Sequence, residues 1–397
     1  MKTLLPVRLK KSEDRRIRAG HPWVYSNEID IAVSPLKQYT KGEEVIVEAH
    51  DKTIIGKGYI NPNSLIAVRI LSRDANEIID QDFFVRKIKT ALDLRNTLFS
   101  KPYYRLVFGE SDQLPGVVID RFGNDFTVQI NTAGMEEKSD LIVSALREIF
   151  PDLNSILFKN DSGIRVQEGL DSYVKSGFGE LPDEISLEEN EVKFVASLEL
   201  GQKTGWFYDH RLNRARLASY VDNKTVLDVF SYVGGFGIQA ARFGAAHVDC
   251  IDTSRSACKF IQKNAKLNQV ENKVSVICDD AFDAMKKLSN DGKTYDVIVL
   301  DPPAFVKKFR DKKEGLIAYQ RLNELALKLL NSNGILFSCS CSMHVGMDDM
   351  FEILKRAAYR TQNEIQVLER GHQGPDHPLH IAIPETDYLK VVIVRKI

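Results

Sequence analysis

A chain of 397 residues, 43% hydrophobic and 27% charged, is long and apolar enough for two or three globular domains, each with its own core. No window approaches the roughly 18 apolar residues of a membrane span, and "MKTLLPVRLKK" has too short an apolar core for a signal peptide, so a cytoplasmic protein is expected. Five cysteines (Cys250, Cys258, Cys278, Cys339, Cys341) without a C-x-x-C pair point away from a disulfide framework and a tetrahedral zinc site, so thiols and no bound metal are expected.

The formal charge of -1 hides an asymmetry, because Lys2, Arg8, Lys10, Lys11, Arg15, Arg16 and Arg18 outnumber Glu13 and Asp14 at the start of the chain. Such a basic edge suggests an anionic partner, and a solvated charged face is the plain alternative. From "VRLKKSEDRRIRAGHPWVYSNEI" through "LIAVRILSR", short β-rich runs between Gly, Asn and Pro turns predict a small barrel ending near Arg73. "DQDFFVRKIKTALDLRNTLF" then repeats its apolar residues at three and four, the pattern of an amphipathic helix.

Strand-like "GVVIDRF" and "DFTVQINT", a helix in "KSDLIVSALREIF", and strands near "SILFKND" and "EVKFVASL" predict a central α+β domain, with a boundary in the loop-like "GELPDEISLEEN". Beyond about Asn190 the alternation becomes regular: "TVLDVF", "HVDCID", "VSVICDD", "YDVIVLDPP" and "GILFSCS", each followed by a helix, and a last strand in "YLKVVIVRKI". Apolar strands alternating with helices predict an α/β fold with a doubly wound, mostly parallel sheet. The expected domains are therefore 1–74, 75–188 and 189–397.

Ligands of open α/β sheets sit beyond the carboxyl ends of the strands. There Asp228 closes the first strand of the last domain, and Gly234, Gly235 and Gly237 open the next helix. Asp252 in "CIDTS" suits the two hydroxyls of a ribose, Asp280 in "CDDAF" suits an adenine edge, and "LDPPAF" ends the fourth strand. Gly235, Gly237 and Ala240 also satisfy the dinucleotide pattern G-x-G-x-x-G/A. An acid several residues before the glycines is awkward beside a pyrophosphate, however, and suits a cationic, phosphate-free ligand. S-adenosylmethionine meets that description, and the series of strand ends resembles the motifs of class I methyltransferases with their Rossmann-like sheet.

A more specific resemblance rests on "GQKTGWFYDHRLNR", "RRIRAGHPWVYSNEI", "LVFGESDQLPGVVIDRFG", "NTAGME" and "DHPLHIAIPETDYLK". Together they resemble the RlmI-type bacterial 23S rRNA (cytosine-5-)-methyltransferases, which join a PUA domain to a class I methyltransferase domain. The resemblance implies 5-methylcytosine formation in large subunit rRNA, either naked or in an early assembly intermediate, and leaves room for a homodimer. It implies that Gln202, Lys203, Thr204, Gly205 and Phe207 border the methionine end of the cofactor, with Asp228, Gly234, Asp252 and Asp280 completing the site. Phe230, Tyr232, Ser254, Asp279, Ala281 and Asp301 are assigned to the same site. A 7-methylguanine rRNA methyltransferase and a non-catalytic RNA-binding assembly factor are the competing readings.

Carbon 5 of cytosine is a poor nucleophile, and attack of a thiolate on carbon 6 activates it. Both Cys339 and Cys341 lie at the end of the strand in "NSNGILFSCSCS", with equal strand parity. Cys341 is seven residues after Gly334 and precedes Ser342, which matches motif VI of RNA 5-methylcytosine enzymes and makes it the expected nucleophile. The resemblance makes Asp301 the acid at the cytosine edge. Ala304 stands where many such enzymes carry a second cysteine after Pro-Pro, and Phe305 is one residue late for the base-stacking aromatic of amino-methylating enzymes.

Arg15, Arg16, His21 and Trp23 interleave charge with aromatic planes, a pattern suited to single-stranded or looped RNA, although a core position is the plain alternative for Trp23. Lys307 and Lys308, in "VKKFRDKKEG" beside the expected pocket, suit phosphate contacts.

Overall fold

The computed structural model describes residues 4–197 and 204–397, which divide into two compact units. The first comprises Met1–Ile185, Ser197–Trp206 and Pro375–Thr386. Its opening sheet has five strands in the order Leu5–Arg8, Glu44–Glu48, Ile54–Ile60, Ile66–Ser72, Trp23–Tyr25. Alternation decides which side chains enter this core: in "EVIVE", Val45 and Val47 are buried between half-buried neighbours.

A second five-stranded sheet in the same unit runs Tyr173–Phe178, Ser155–Asn160, Asp125–Ile130, Val117–Phe122, Tyr103–Phe108. Helices Gln81–Leu98 and Ser139–Ile149 bury their apolar faces in its core, the first capped by Asp80, which accepts from the Phe83 amide at 3.0 Å. Two of these strands escape a reading of the sequence. In Tyr103–Phe108 the apolar run is broken by Arg105, which is buried only because it pairs with the fully buried Asp120 at 2.8 Å. Tyr173–Phe178, "YVKSGF", is an edge strand with mostly exposed residues.

Polar contacts join the two sheets. Tyr59 Oη donates to Thr132 Oγ1 at 2.8 Å, and the Glu168 carboxylate accepts from Asn61, Ser64 and Arg69.

The second unit comprises Ser186–Ala196, Phe207–Gly374 and Asp387–Ile397. Its sheet consists of β1 (Thr225–Val229), β2 (His247–Asp252), β3 (Val274–Cys278), β4 (Tyr295–Leu300), β5 (Leu330–Ser340), β6 (Ile365–Gly371) and β7 (Lys390–Lys396). The spatial order is β3-β2-β1-β4-β5-β7-β6; the first five are parallel, β7 is antiparallel to β5, and β6 is antiparallel to β7. Between them run α1 (Gly235–Arg242), α2 (Arg255–Leu267), α3 (Ala281–Asn290), α4 (Lys312–Leu329) and α5 (Met347–Thr361).

Helices cover both faces, so the central strands are largely apolar, as in the "VIVL" run of Val297–Leu300. Strand β6, "IQVLERG", is an exposed edge strand whose polar residues hide it in the sequence. "GELPDEISLEEN" is corrected from loop to strand over Glu184–Glu189; its hairpin with Val192–Ser197 is held to α2 by Asn264, which bonds both backbone groups of Val195. None of the described helices is long and apolar enough to cross a membrane.

Candidate active site

The loop after β1 is shaped by the backbone. Phe230 and Tyr232 are non-glycine residues at φ 67° and 51°, a conformation costing roughly 1–3 kcal/mol each, and Gly234 follows at 89°. Three bonds fix it: Ser231 Oγ to the Asp228 carbonyl at 2.7 Å, the Tyr232 amide to Asp252 Oδ2 at 2.8 Å, and the Gly237 amide to Asp228 Oδ2 at 2.8 Å. A Cβ at Gly237 would stand 2.4 Å from Cys250 Sγ and 3.0 Å from Asp228 Oδ2, so the helix can approach the strand only with glycine there.

Asp228 is fully buried, with Oδ1 unpartnered among the described residues. Burial, reinforced by the charge of Asp301, pushes its carboxyl up to about 7. A buried carboxylate lacking a partner for one oxygen is suited to a cationic ligand, and the α-ammonium of S-adenosylmethionine supplies such a charge. Asp252 spends one lone pair on Tyr232 and another on the Ser254 amide at 2.8 Å, leaving acceptor capacity for ribose hydroxyls. Ser254 caps α2 and Asp280 caps α3, with Asp280 Oδ1 accepting from Phe282 at 2.9 Å. Asp279 and Asp280 are exposed and Ala281 buried. The Phe207 ring packs edge-on to Tyr232 at 5.4 Å.

These residues, with Asp301, share the second unit, whereas Thr204 and Gly205 belong to the first. Thr204 is buried there with a hydroxyl that has no partner among the described residues; Gln202 and Lys203 lie outside them.

The structure separates the two cysteines of β5. Cys339 is fully buried, and burial, aided by the charges of Asp301 and Cys341, pushes its thiol well above the ordinary range. Cys341 lies just past the strand end, partly exposed, with Sγ 3.9 Å from the Pro302 carbonyl. Its surroundings are braced: Tyr319 Oη meets Ser342 Oγ at 2.9 Å and accepts from Ser340 Oγ at 3.0 Å, while the Val306 amide donates to Ser342 Oγ at 3.2 Å. Phe305 packs on Tyr319 at 4.7 Å between centroids and leans toward Phe230 and Phe282, as part of an aromatic cluster.

Three residues of this site carry no assignment in the sequence reading. His210 Nε2 lies 3.0 Å from Asp301 Oδ1. Asp209 Oδ2 accepts from Tyr388 Oη at 2.6 Å, fixing the turn that carries His210. Lys390, at the start of β7, donates to the carbonyls of Ser342 and Tyr388 at 2.7 Å each. All three stand inside the strings "GQKTGWFYDHRLNR" and "DHPLHIAIPETDYLK", but nothing in one dimension shows that these strings meet β4 and β5.

Among the residues expected to touch RNA, Arg15, Lys307 and Lys308 are exposed. The other three, likewise expected at RNA, each make bonds within the protein. Arg16 donates to the Trp23 carbonyl and to both oxygens of Glu28; Trp23 Nε1 donates to Glu110 at 2.9 Å. His21 is buried, accepts from the Trp23 amide at 3.1 Å, and is lowered to about 4, mainly by burial and then by Arg16, so it is neutral at pH 7.

Comparison with known proteins agrees with this geometry. Residues 7–73 match the family described as PUA-like domain, and residues 167–392 match the family described as S-adenosylmethionine-dependent methyltransferase. Proteins named ribosomal RNA large subunit methyltransferase I are similar along nearly the whole chain. The one from Aliivibrio fischeri is 37% identical over 389 residues, covering 97% of each chain. That from Shewanella frigidimarina is 38% identical over 394 residues, covering 98% of each. A solved structure from Streptococcus mutans, described as a SAM-dependent methyltransferase, shares the fold at TM-score 0.82 and 20% identity, covering 99% of this chain and 100% of that one. A second, SMU.776 in complex with SAH, does so at TM-score 0.84 and 21% identity with the same coverage. With a PUA-like domain at its start, a match to the methyltransferase family over residues 167–392 and relatives similar along nearly its whole length, the chain belongs to the S-adenosylmethionine-dependent methyltransferase family.

Proposed function

We propose that this methyltransferase forms 5-methylcytosine in large subunit rRNA through a covalent adduct of Cys341. The observation that carries the reading is the placement of a partly exposed thiol past the end of β5, 3.9 Å from the carbonyl of Pro302, the residue that follows Asp301 in the chain. The names of the relatives similar over 97–98% of the chain support rRNA as the substrate.

Bound S-adenosylmethionine supplies a methyl group on a sulfonium. The chain holds it through Asp228 at the ammonium, Asp252 and Ser254 at the ribose, Asp279, Asp280 and Ala281 at the adenine, and Phe207, Phe230, Tyr232 and Gly234 along the loop. The Cys341 thiolate adds to carbon 6 of cytosine, forming a C–S bond and making the former double-bond pair available at carbon 5. Carbon 5 takes the methyl group. Its proton then leaves to a base, the pair re-forms the double bond, and the thiolate is expelled.

Asp301 accepts from the exocyclic amino group at the cytosine edge. A carboxylate can only accept, so His210 Nε2 carries the proton of the 3.0 Å contact and orients Asp301. Lys307, Lys308 and Arg15 contact phosphates.

The test incubates the protein with labelled S-adenosylmethionine and unmodified 23S rRNA and maps the product by bisulfite sequencing and mass spectrometry. The expected product is 5-methylcytosine, lost in Cys341→Ala and retained in Cys339→Ala. A methylated guanine, or cofactor binding with no methyl product, overturns the reading.

A further inference from the structure

We propose that Lys390 is a positioning residue for the nucleophile: its ammonium holds Cys341 as the thiolate. The inference rests on the assignment of Cys341 given above and begins from topology. Because β7 runs antiparallel to β5, pairing Ser340 with Lys390, the first residue of β7 lies at the carboxyl edge where β5 ends. Lys390 is buried there, and two of its three N–H bonds go to the carbonyls of Ser342 and Tyr388. The Ser342 carbonyl belongs to the residue directly after Cys341.

Among the described residues no carboxylate forms an ion pair with Lys390. A buried ammonium compensated only by carbonyls is costly, and a nearby negative charge offsets that cost. The catalytic cycle supplies such a charge at Cys341. Burial lowers Lys390 to about 8, and the charges that oppose this are those of Asp387, Cys341 and Asp349. The coupling is mutual: a thiolate that favours the ammonium is favoured by it.

The other charged or titratable groups around the thiol do not do this work. Asp301 on β4, paired with His210, and Asp387 before β7 are acidic, as is Asp349 on α5, which pairs with Lys312 at 2.7 Å. Tyr319 on α4 is raised by burial, and Cys339 is held protonated. His344, on the loop after β5, packs against Phe309 at 6.0 Å. Among the described residues, the buried cation beside this strand end is therefore Lys390, whose ammonium bonds the carbonyl of the residue after the thiol.

The test measures the pH dependence of iodoacetamide alkylation at Cys341 in the full chain, read on its peptide by mass spectrometry, for wild type, Lys390→Gln and Lys390→Arg. The wild-type inflection is expected below the ordinary thiol value of about 8.5. Lys390→Gln, which can still donate to a carbonyl, is expected to raise the inflection by about one unit, a tenfold slower alkylation at pH 7. Lys390→Arg is expected to stay near wild type. A wild-type inflection at or above about 8.5 overturns the proposal even if the glutamine variant fails to fold; so does a glutamine variant that titrates with wild type. The readout needs neither RNA nor methyl transfer, so its failure leaves the nucleophilic role of Cys341 standing, and the absence of 5-methylcytosine leaves this measurement intact.

Discussion

The imidazole of His210 meets the carboxylate of Asp301 at 3.0 Å, joining a turn near the start of the second unit to the end of β4. The His210 side chain is 3% exposed and Asp301 23%, so the histidine fixes the acid from behind while the acid keeps a face for substrate. His210→Ala is expected to lower kcat by about 10–100-fold with little change in KM for the cofactor, since a misplaced group costs rate more than binding. Single-turnover kinetics on rRNA check this, and an unchanged rate removes His210 from the mechanism.

Asp228 links the cofactor site to pH. Its folded value of about 7 lies above that of an unfolded aspartate, so its contribution to stability is full below about pH 4 and is lost as pH rises through 7. Asp228→Asn is therefore expected to be the more stable protein above pH 7 without cofactor, by an amount on the order of a few kcal/mol. In wild type, affinity for S-adenosylmethionine is expected to rise with pH up to about 7, where the carboxylate forms, and the asparagine variant to bind more weakly without that rise. Calorimetry across pH 5–7.5, an interval of roughly two units around that value, separates the two outcomes.

The two cysteines of β5 are expected to part company. Cys341→Ala removes 5-methylcytosine formation while leaving cofactor affinity unchanged. Cys339→Ala removes one buried sulfur atom, costs about 1 kcal/mol of stability through the small cavity, and keeps methylation. Thermal unfolding and product mapping on the same samples check both.

Gly237→Ala brings a methyl group into Cys250 Sγ and Asp228 Oδ2, at 2.4 and 3.0 Å. The expected cost is about 1–3 kcal/mol of stability, with weaker cofactor binding as Asp228 is displaced. Gly235→Ala is the comparison: its new Cβ first meets the Arg214 side chain, at 3.0 Å, and not the carboxylate.

Lys307→Ala/Lys308→Ala is expected to weaken rRNA binding and reduce the slope of log affinity against log salt by about 1–2, as follows from the proposed phosphate contacts of these exposed charges. Trp23→Phe is expected to cost stability through the lost Glu110 bond and to leave the salt slope unchanged. Titrations at several salt concentrations distinguish these outcomes.

Periodicity and strand-end chemistry made much of this molecule legible in one dimension. The five parallel strands could be read because each carries a largely apolar run with a distinctive residue at or beside its end, as in Asp228, Asp252 and "DPP". Strands at sheet edges, or carrying a buried ion pair as Arg105 does with Asp120, have no such pattern. At His21 and Trp23 a run of charges and rings looks the same whether its polar groups face a ligand or one another, and the bonds these residues make within the protein are visible only in three dimensions.

The sequence by itself determined the fold class and led to the expected cofactor loop and to Cys341 as the expected nucleophile, because those readings depend on residues close in the chain and on local backbone demands. Only the tertiary structure decided which cysteine is sealed in the core and which side chains surround the other. His210 lies 91 positions before Asp301, and Lys390 reaches Ser342 across 48 positions because β7 turns antiparallel. Strand direction, which no single segment encodes, brings that ammonium to the carbonyl of the residue after Cys341.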